Sequence, residues 1–237
     1  MPALGRVYAT ATDSGELLTI AARTLKVIAR APAGEYPDGI AWAPDHRRIY
    51  VSDETGGIES VFTAAGHRVR TIRLGGEAGN VQYDPGSKHI LVDVQTRNVL
   101  AVIDPRTERV IRDVAMPPTC AHPHGLLVDG QRRLVFIASD GNATLLTLDL
   151  NGMKVIGITS VGDGPDVLAF DAPLHRLYVA SESGVVAVFA EQAHALTKLG
   201  QALLAPEAHV VAADPSTRLV YFPLQSQPEL RVMKPTR

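Results

Sequence analysis

Short apolar runs rich in Val, Ile, Leu and Ala recur from Arg6 to Met233, separated by clusters of Gly, Pro, Asp and Asn. That alternation predicts the strands and tight turns of a β-meander, and helical periodicity is nearly absent. One unit shows the grammar plainly. In YPDGIAWAPDHRRIYVSDE, Tyr36 to Glu54, a loop ends at Pro37-Asp38-Gly39 and an apolar run follows at Ile40-Ala41-Trp42. A turn comes at Pro44-Asp45, and Arg48 opens a second run, Ile49-Tyr50-Val51.

The unit repeats. Its turn returns at Asp84-Pro85, Asp129-Gly130, Asp171-Ala172-Pro173 and Asp214-Pro215. Pro44, Pro85, Gly130, Ala172 and Pro215 stand 41, 45, 42 and 43 residues apart. A period of about 40–45 residues built from short strands predicts an all-β propeller. Each full repeat divides into an inner, second, third and outer strand. In the clearest repeat these are Ile40–Ala43, Ile49–Ser52, Ile58–Phe62 and Arg68–Ile72. Ala190–Leu204 is ambiguous and reads as a loop and an outer strand.

Six blades are expected within one domain, 1–237, at about 4–34, 35–76, 77–118, 119–162, 163–205 and 206–237. The first matches only second, third and outer strands; the last matches only inner, second and third. An unpaired strand at either end is an open sheet edge.

The stretches GRVYATATDSG, YPDGIAWAP, GNVQYDP, VDVQTRN, HGLLVD, GPDVLAFD, RLYVASESGVVAVF and AHVVAADPSTRLVYFPL resemble the YncE-like bacterial β-propellers built of YVTN-type repeats. That resemblance implies a seven-bladed fold, of which this chain would be a shortened version, and a periplasmic, exported protein. The chain shows no signal peptide at Met1, so a genuine start there implies the cytoplasm. The repeat is distantly similar to gluconolactonase-type lactonases and to virginiamycin lyase, which implies metal-dependent chemistry as an alternative.

Composition narrows the choice. Hydrophobic residues make up 46% of the chain and charged residues 20%, enough for a packed core. A formal net charge of −2 gives no electrostatic case for nucleic acid, and no apolar run is long enough to span a bilayer. The single cysteine, Cys120, excludes an intrachain disulfide.

In a propeller, the loops entering the inner strands and those joining second to third strands open on one face, around the central channel. The repeat register puts Asp38, His124, Asp166 and His209 at one position on the first set, with Asn80 displaced by one residue. Asp and His in such a set suit a divalent cation, Ca or Mg by oxygen-rich ligation, Zn or Mn by imidazole. The same residues also serve as Asx-turn caps with no ligand at all. On the second set, Arg97 is a candidate anion contact, and Glu54 or Asp140 a candidate general base. Cys120 and His122 suggest a nucleophile and base, but adjacent positions on an extended segment point to opposite sides and no second cysteine supports a zinc site, which leaves His122 as an alternative ligand beside His124.

Two functions follow as expectations. The first is a non-catalytic propeller that binds a small molecule, metal or protein through Asp38, Asn80, Arg97, His124, Asp166 and His209. The second is a hydrolase or lyase using Asp38, His124, Asp166 and His209 as metal ligands.

Overall fold

The structure, a computed structural model, describes residues 4–235 and has the all-β, six-bladed propeller fold. Its contacts divide into two compact units, Met1–Met116 and Pro117–Arg237.

In the first unit, a three-stranded blade comprises β1 (Arg6–Ala11), β2 (Glu16–Ala21) and β3 (Val27–Pro32). Two four-stranded blades follow. They are β4 (Pro37–Ala43), β5 (Arg48–Asp53), β6 (Ile58–Thr63) and β7 (Arg68–Arg73), then β8 (Ala78–Tyr83), β9 (Ile90–Val94), β10 (Val99–Asp104) and β11 (Arg109–Ala115). All pair antiparallel with their neighbours in sequence.

The second unit mirrors this order from the other end. Its complete blades are β12 (Pro123–Asp129), β13 (Leu134–Ser139), β14 (Thr144–Asp149) and β15 (Lys154–Ser160), then β16 (Pro165–Asp171), β17 (Arg176–Ser181), β18 (Val185–Gln192) and β19 (Ala195–Leu203). A three-stranded blade, β20 (Ala212–Asp214), β21 (Leu219–Leu224) and β22 (Glu229–Met233), closes the sequence. The ambiguous 190–204 stretch is therefore strand on both sides of a tight turn at Ala193-His194, where both residues take positive φ. The last blade's first strand is shorter than its apolar pattern suggests.

Local chemistry sets the turns between first and second strands. Asp84, Asp129, Asp171 and Asp214 each accept a hydrogen bond from a backbone N–H two or three residues on. These Asx-type closures are the reason aspartate opens the turn in four of five repeats. Arg47, Lys88, Arg133, His175 and Arg218 then take positive φ one or two residues before the second strand.

Cores form between adjacent blades of each unit. Tyr50, Val61, Ile90, Val92 and Ile103 are buried together in the first unit. Leu134, Phe136, Leu177, Val179 and Phe189 do the same in the second, with the Phe136 and Phe170 rings tilted at 6.2 Å. Burying one such side chain contributes about 1.5–3 kcal/mol. Second and third strands are buried on both faces, whereas fourth strands such as β15 alternate exposed and half-buried positions. The repeated aromatics Trp42, Tyr83 and Phe170 pack against these cores, as their shared register suggests.

Candidate functional site

Every complete blade carries an irregularity at one place in its first strand. Pairing skips between Pro37 and Ile40, between Ala78 and Val81, between Pro123 and Gly125, and between Pro165 and Leu168. The skipped residues include Asp38, Asn80, His124 and Asp166, which are the positions that the repeat register singles out. A β-bulge leaves its residue off the ladder and re-aims the side chain.

In the second unit those bulges converge. Nε2 of His124 lies 3.2 Å from Oδ1 of Asp166, and Nδ1 of His209 lies 2.6 Å from Oδ2 of the same carboxylate. An ionised carboxylate only accepts, so both imidazoles donate N–H to it and their tautomers are set. The three side chains are 15%, 17% and 18% exposed, close to buried yet reachable. The backbone supports the contact, for Val167 N–H donates to the His209 carbonyl at 3.3 Å. Gly125 completes it, because a Cβ there would sit 2.0 Å from the Asp166 carbonyl oxygen.

The electrostatics follow from this geometry. Burial alone would raise the Asp166 carboxyl; hydrogen bonds from His124 and His209 outweigh it and hold the group at about 2. His209 is raised, first by its hydrogen bond to Asp166, with burial opposing, and further by a Gln225 hydrogen bond and the Glu182 charge. His209 therefore holds a proton to higher pH than an ordinary histidine. The cluster can hold an anion by charge-assisted hydrogen bonds, or move a proton through an imidazole oriented by a carboxylate.

The other expected residues make contacts of their own. Asp38 is half-buried on β4 in the first unit, and its carbonyl accepts from the Thr10 hydroxyl at 3.0 Å. Asn80 lies on the neighbouring β8, where its Cα and Oδ1 fill the space beside Gly39. Arg97 donates to the Leu74 carbonyl at 2.7 Å and pairs with Asp113, a contact to its own blade's β11. Glu54 accepts from the Gln95 amide at 3.0 Å, and Asp140 is exposed, its N–H donating to the His122 carbonyl. Cys120 is buried and accepts from the Ser139 hydroxyl. Among the described residues, no three or more His, Cys, Asp and Glu side chains are grouped so as to hold a metal ion.

Gln225 escapes a reading of residue types, since a lone glutamine in a polar turn has no distinctive chemistry. Its register does mark it. Gln225 follows the second strand of its blade, as Glu54, Asp140 and Glu182 follow theirs.

No protein-family model matches this chain, and no curated protein sequence is significantly similar to it. Solved structures are similar in fold. The putative 6-phosphogluconolactonase of Bacteroides uniformis superposes with a TM-score of 0.83 at 14% identity, covering 98% of this chain and 77% of its own. The corresponding Bacteroides fragilis protein gives 0.82 at 15% identity, covering 97% and 77%. The β-propeller domain of Myceliophteria thermophila Cps50 (Swd1) gives 0.79 at 12%, covering 98% and 80%. Likeness at such identities shows the propeller fold, which hosts many unrelated functions. The YncE-like resemblance rests on the sequence motifs alone.

Proposed function

We propose that this chain is a binding propeller that takes a small anionic molecule, a carboxylate or phosphate ester, at His124, Asp166 and His209. One observation carries the reading: a single half-buried carboxylate orients two imidazoles, and one of them has a raised proton affinity. The N–H groups that face Asp166 are committed to it, so an oxyanion would be recognised through the second ring nitrogen of protonated His209, and the low exposure strengthens that contact. Asp38 and Asn80 occupy the matching bulges of the first unit, as a proposed binding position within that unit. Export to the periplasm and membership of the YncE-like group belong to this proposal, on the motifs above.

Calorimetric titration with 6-phosphogluconate, glucuronate and inorganic phosphate at pH 6 and pH 8 tests it. Binding is expected to be tighter at pH 6, where His209 is protonated, and at least tenfold weaker in His209→Asn. Equal affinity at both pH values, or no effect of the substitution, would remove the site from the account.

A second reading has its own support. The His209–Asp166 pair is the base-and-orienter arrangement of acid–base catalysis, and two structural neighbours carry lactonase names. Here the pair would activate water against a sugar lactone. Lactone opening followed by pH-stat separates the readings. Hydrolysis above the buffer rate that disappears in His209→Asn supports the enzyme, and a background rate in both proteins rejects it.

A further inference from the structure

Glu182 is anchored beside His124, Asp166 and His209. It follows β17 as Asp140 follows β13, and its backbone N–H donates to the Gly164 carbonyl at 2.6 Å, two residues before Asp166. Gly164 takes φ of 62°, and a Cβ there would meet Cβ of Glu182 at 3.0 Å and its Cγ and Oε2 at 3.3 Å. With no side chain at Gly164, the stem and one carboxylate oxygen of Glu182 lie against the loop that leads to Asp166. The charge reaches the imidazole, since Glu182 is one of the groups that raise His209. Glu182 is exposed, and among the described residues no hydrogen bond or ion pair engages its carboxylate.

The loops around it supply acids and no cation. Loops 117–122, 161–164 and 204–211 lead into β12, β16 and β20, and loops 140–143, 182–184 and 225–228 join second to third strands. None of them contains Lys or Arg, whereas Asp140, Asp163, Glu182 and Glu207 all lie in them. Arg132, Arg133 and Arg218 sit in the turns between first and second strands, at the opposite ends of the same blades. Arg231 of β22, which reaches the Leu204 carbonyl, is paired with Glu229. A bare oxyanion at His209 therefore meets one imidazolium and two carboxylates, Asp166 and Glu182, a balance that disfavours it. An ammonium on the same ligand reverses the sign at Glu182.

We infer that Glu182 determines the specificity of this site, selecting a small zwitterion whose oxyanion meets protonated His209 and whose ammonium, a few bonds away, pairs with the Glu182 carboxylate. This ligand class builds on the oxyanion contact proposed above for His209 and adds a second charged group to it. Amino acids and aminoalkyl phosphates have that chemistry. Glu182 leaves the oxyanion contact itself to His209 and decides which oxyanions are retained.

The probes are phosphoethanolamine and ethyl phosphate, which differ by the ammonium group, titrated calorimetrically against the intact protein at pH 6. Phosphoethanolamine is expected to bind roughly tenfold tighter. Glu182→Gln changes an exposed side chain, with the melting temperature as the check on folding. It should weaken phosphoethanolamine and leave ethyl phosphate bound as well as before or better, so that the preference disappears; Glu182→Asp should restore part of it. In Glu182→Gln the His209 imidazole should also titrate at lower pH by NMR, because a charge that raises it has gone. Equal affinity of the two probes for the native protein, or a preference that survives Glu182→Gln, would overturn the inference and leave the oxyanion site standing. Failure of both probes to bind would remove the oxyanion reading and this one with it.

Discussion

Asp166 is the residue on which the second unit's site turns, and its protonation can be followed through stability. Its carboxyl is depressed from the ordinary 3.8 to about 2, so its contribution is present above pH 3.8 and lost as pH falls through about 2. His209 is raised from the ordinary 6.5, so its contribution is full below pH 6.5 and lost as pH rises through its folded value. The stabilisation from the pair is therefore greatest between about pH 4 and 6.5. Asp166→Asn should lower stability by about 2 kcal/mol in that window and by less on either side, measured by urea unfolding across pH. A difference that is constant with pH would contradict the assigned ion pair. Gly125→Ala tests the same site through sterics. The new methyl meets the Asp166 carbonyl, and a loss of about 1–3 kcal/mol with weakened ligand binding is expected. Three of the residues gathered here were legible because residues one repeat apart share a register. Residue chemistry alone does not reach the Arg97 pairing, since a guanidinium beside a loop says nothing of Asp113 sixteen residues on.

At the scale of elements, the strand order was readable throughout, because alternating apolar runs and Asx turns are local signals. What local pattern could not show is a carboxyl group facing the core. Glu59 sits directly opposite Ser52 across the β5–β6 pair, fully buried, and its Oε1 accepts from the Ser52 hydroxyl at 2.5 Å. Burial pushes this carboxyl up to about 8. The folded chain then holds a proton that the unfolded chain releases above 4.5, so stability falls as pH rises from about 4.5 to about 8. Glu59→Gln should flatten that slope and raise the melting temperature at pH 8 by several degrees, with little change at pH 4. A variant no more stable than the native chain at pH 8 would refute the buried acid. A second test uses a turn. Ala143 takes φ of 51° at the position held by Gly15, Gly57, Asn98 and Gly184 in the other repeats. Ala143→Gly should stabilise by about 0.5–1 kcal/mol, readable as a shift in the urea midpoint.

For the molecule as a whole, the repeat announces the fold, because each strand set can bury its faces only against another copy of itself. The same dependence limits what the sequence says about ligands. Register aligns residues of all repeats equally, while contact selects a few of them. Where no three potential ligands are grouped among the described residues, chelation should matter little. Dialysis against EDTA is expected to move the melting temperature by less than about 1 °C, and a larger fall restored by one cation would point back to a metal centre.

The aspartate turns carry one last implication. Each closes upon its own main chain, with the bonds that define it lying inside four or five consecutive residues. The main-chain closure of such a corner takes nothing from the rest of the molecule, although its last side chain reaches outward, Lys88 to Asp45 and Arg218 to Asp171. Exchanging the Asp84–Lys88 and Asp214–Arg218 corners should leave both hairpins in alignment, so these loops are interchangeable joints and new surface chemistry could be grafted onto them without refitting the strands they join.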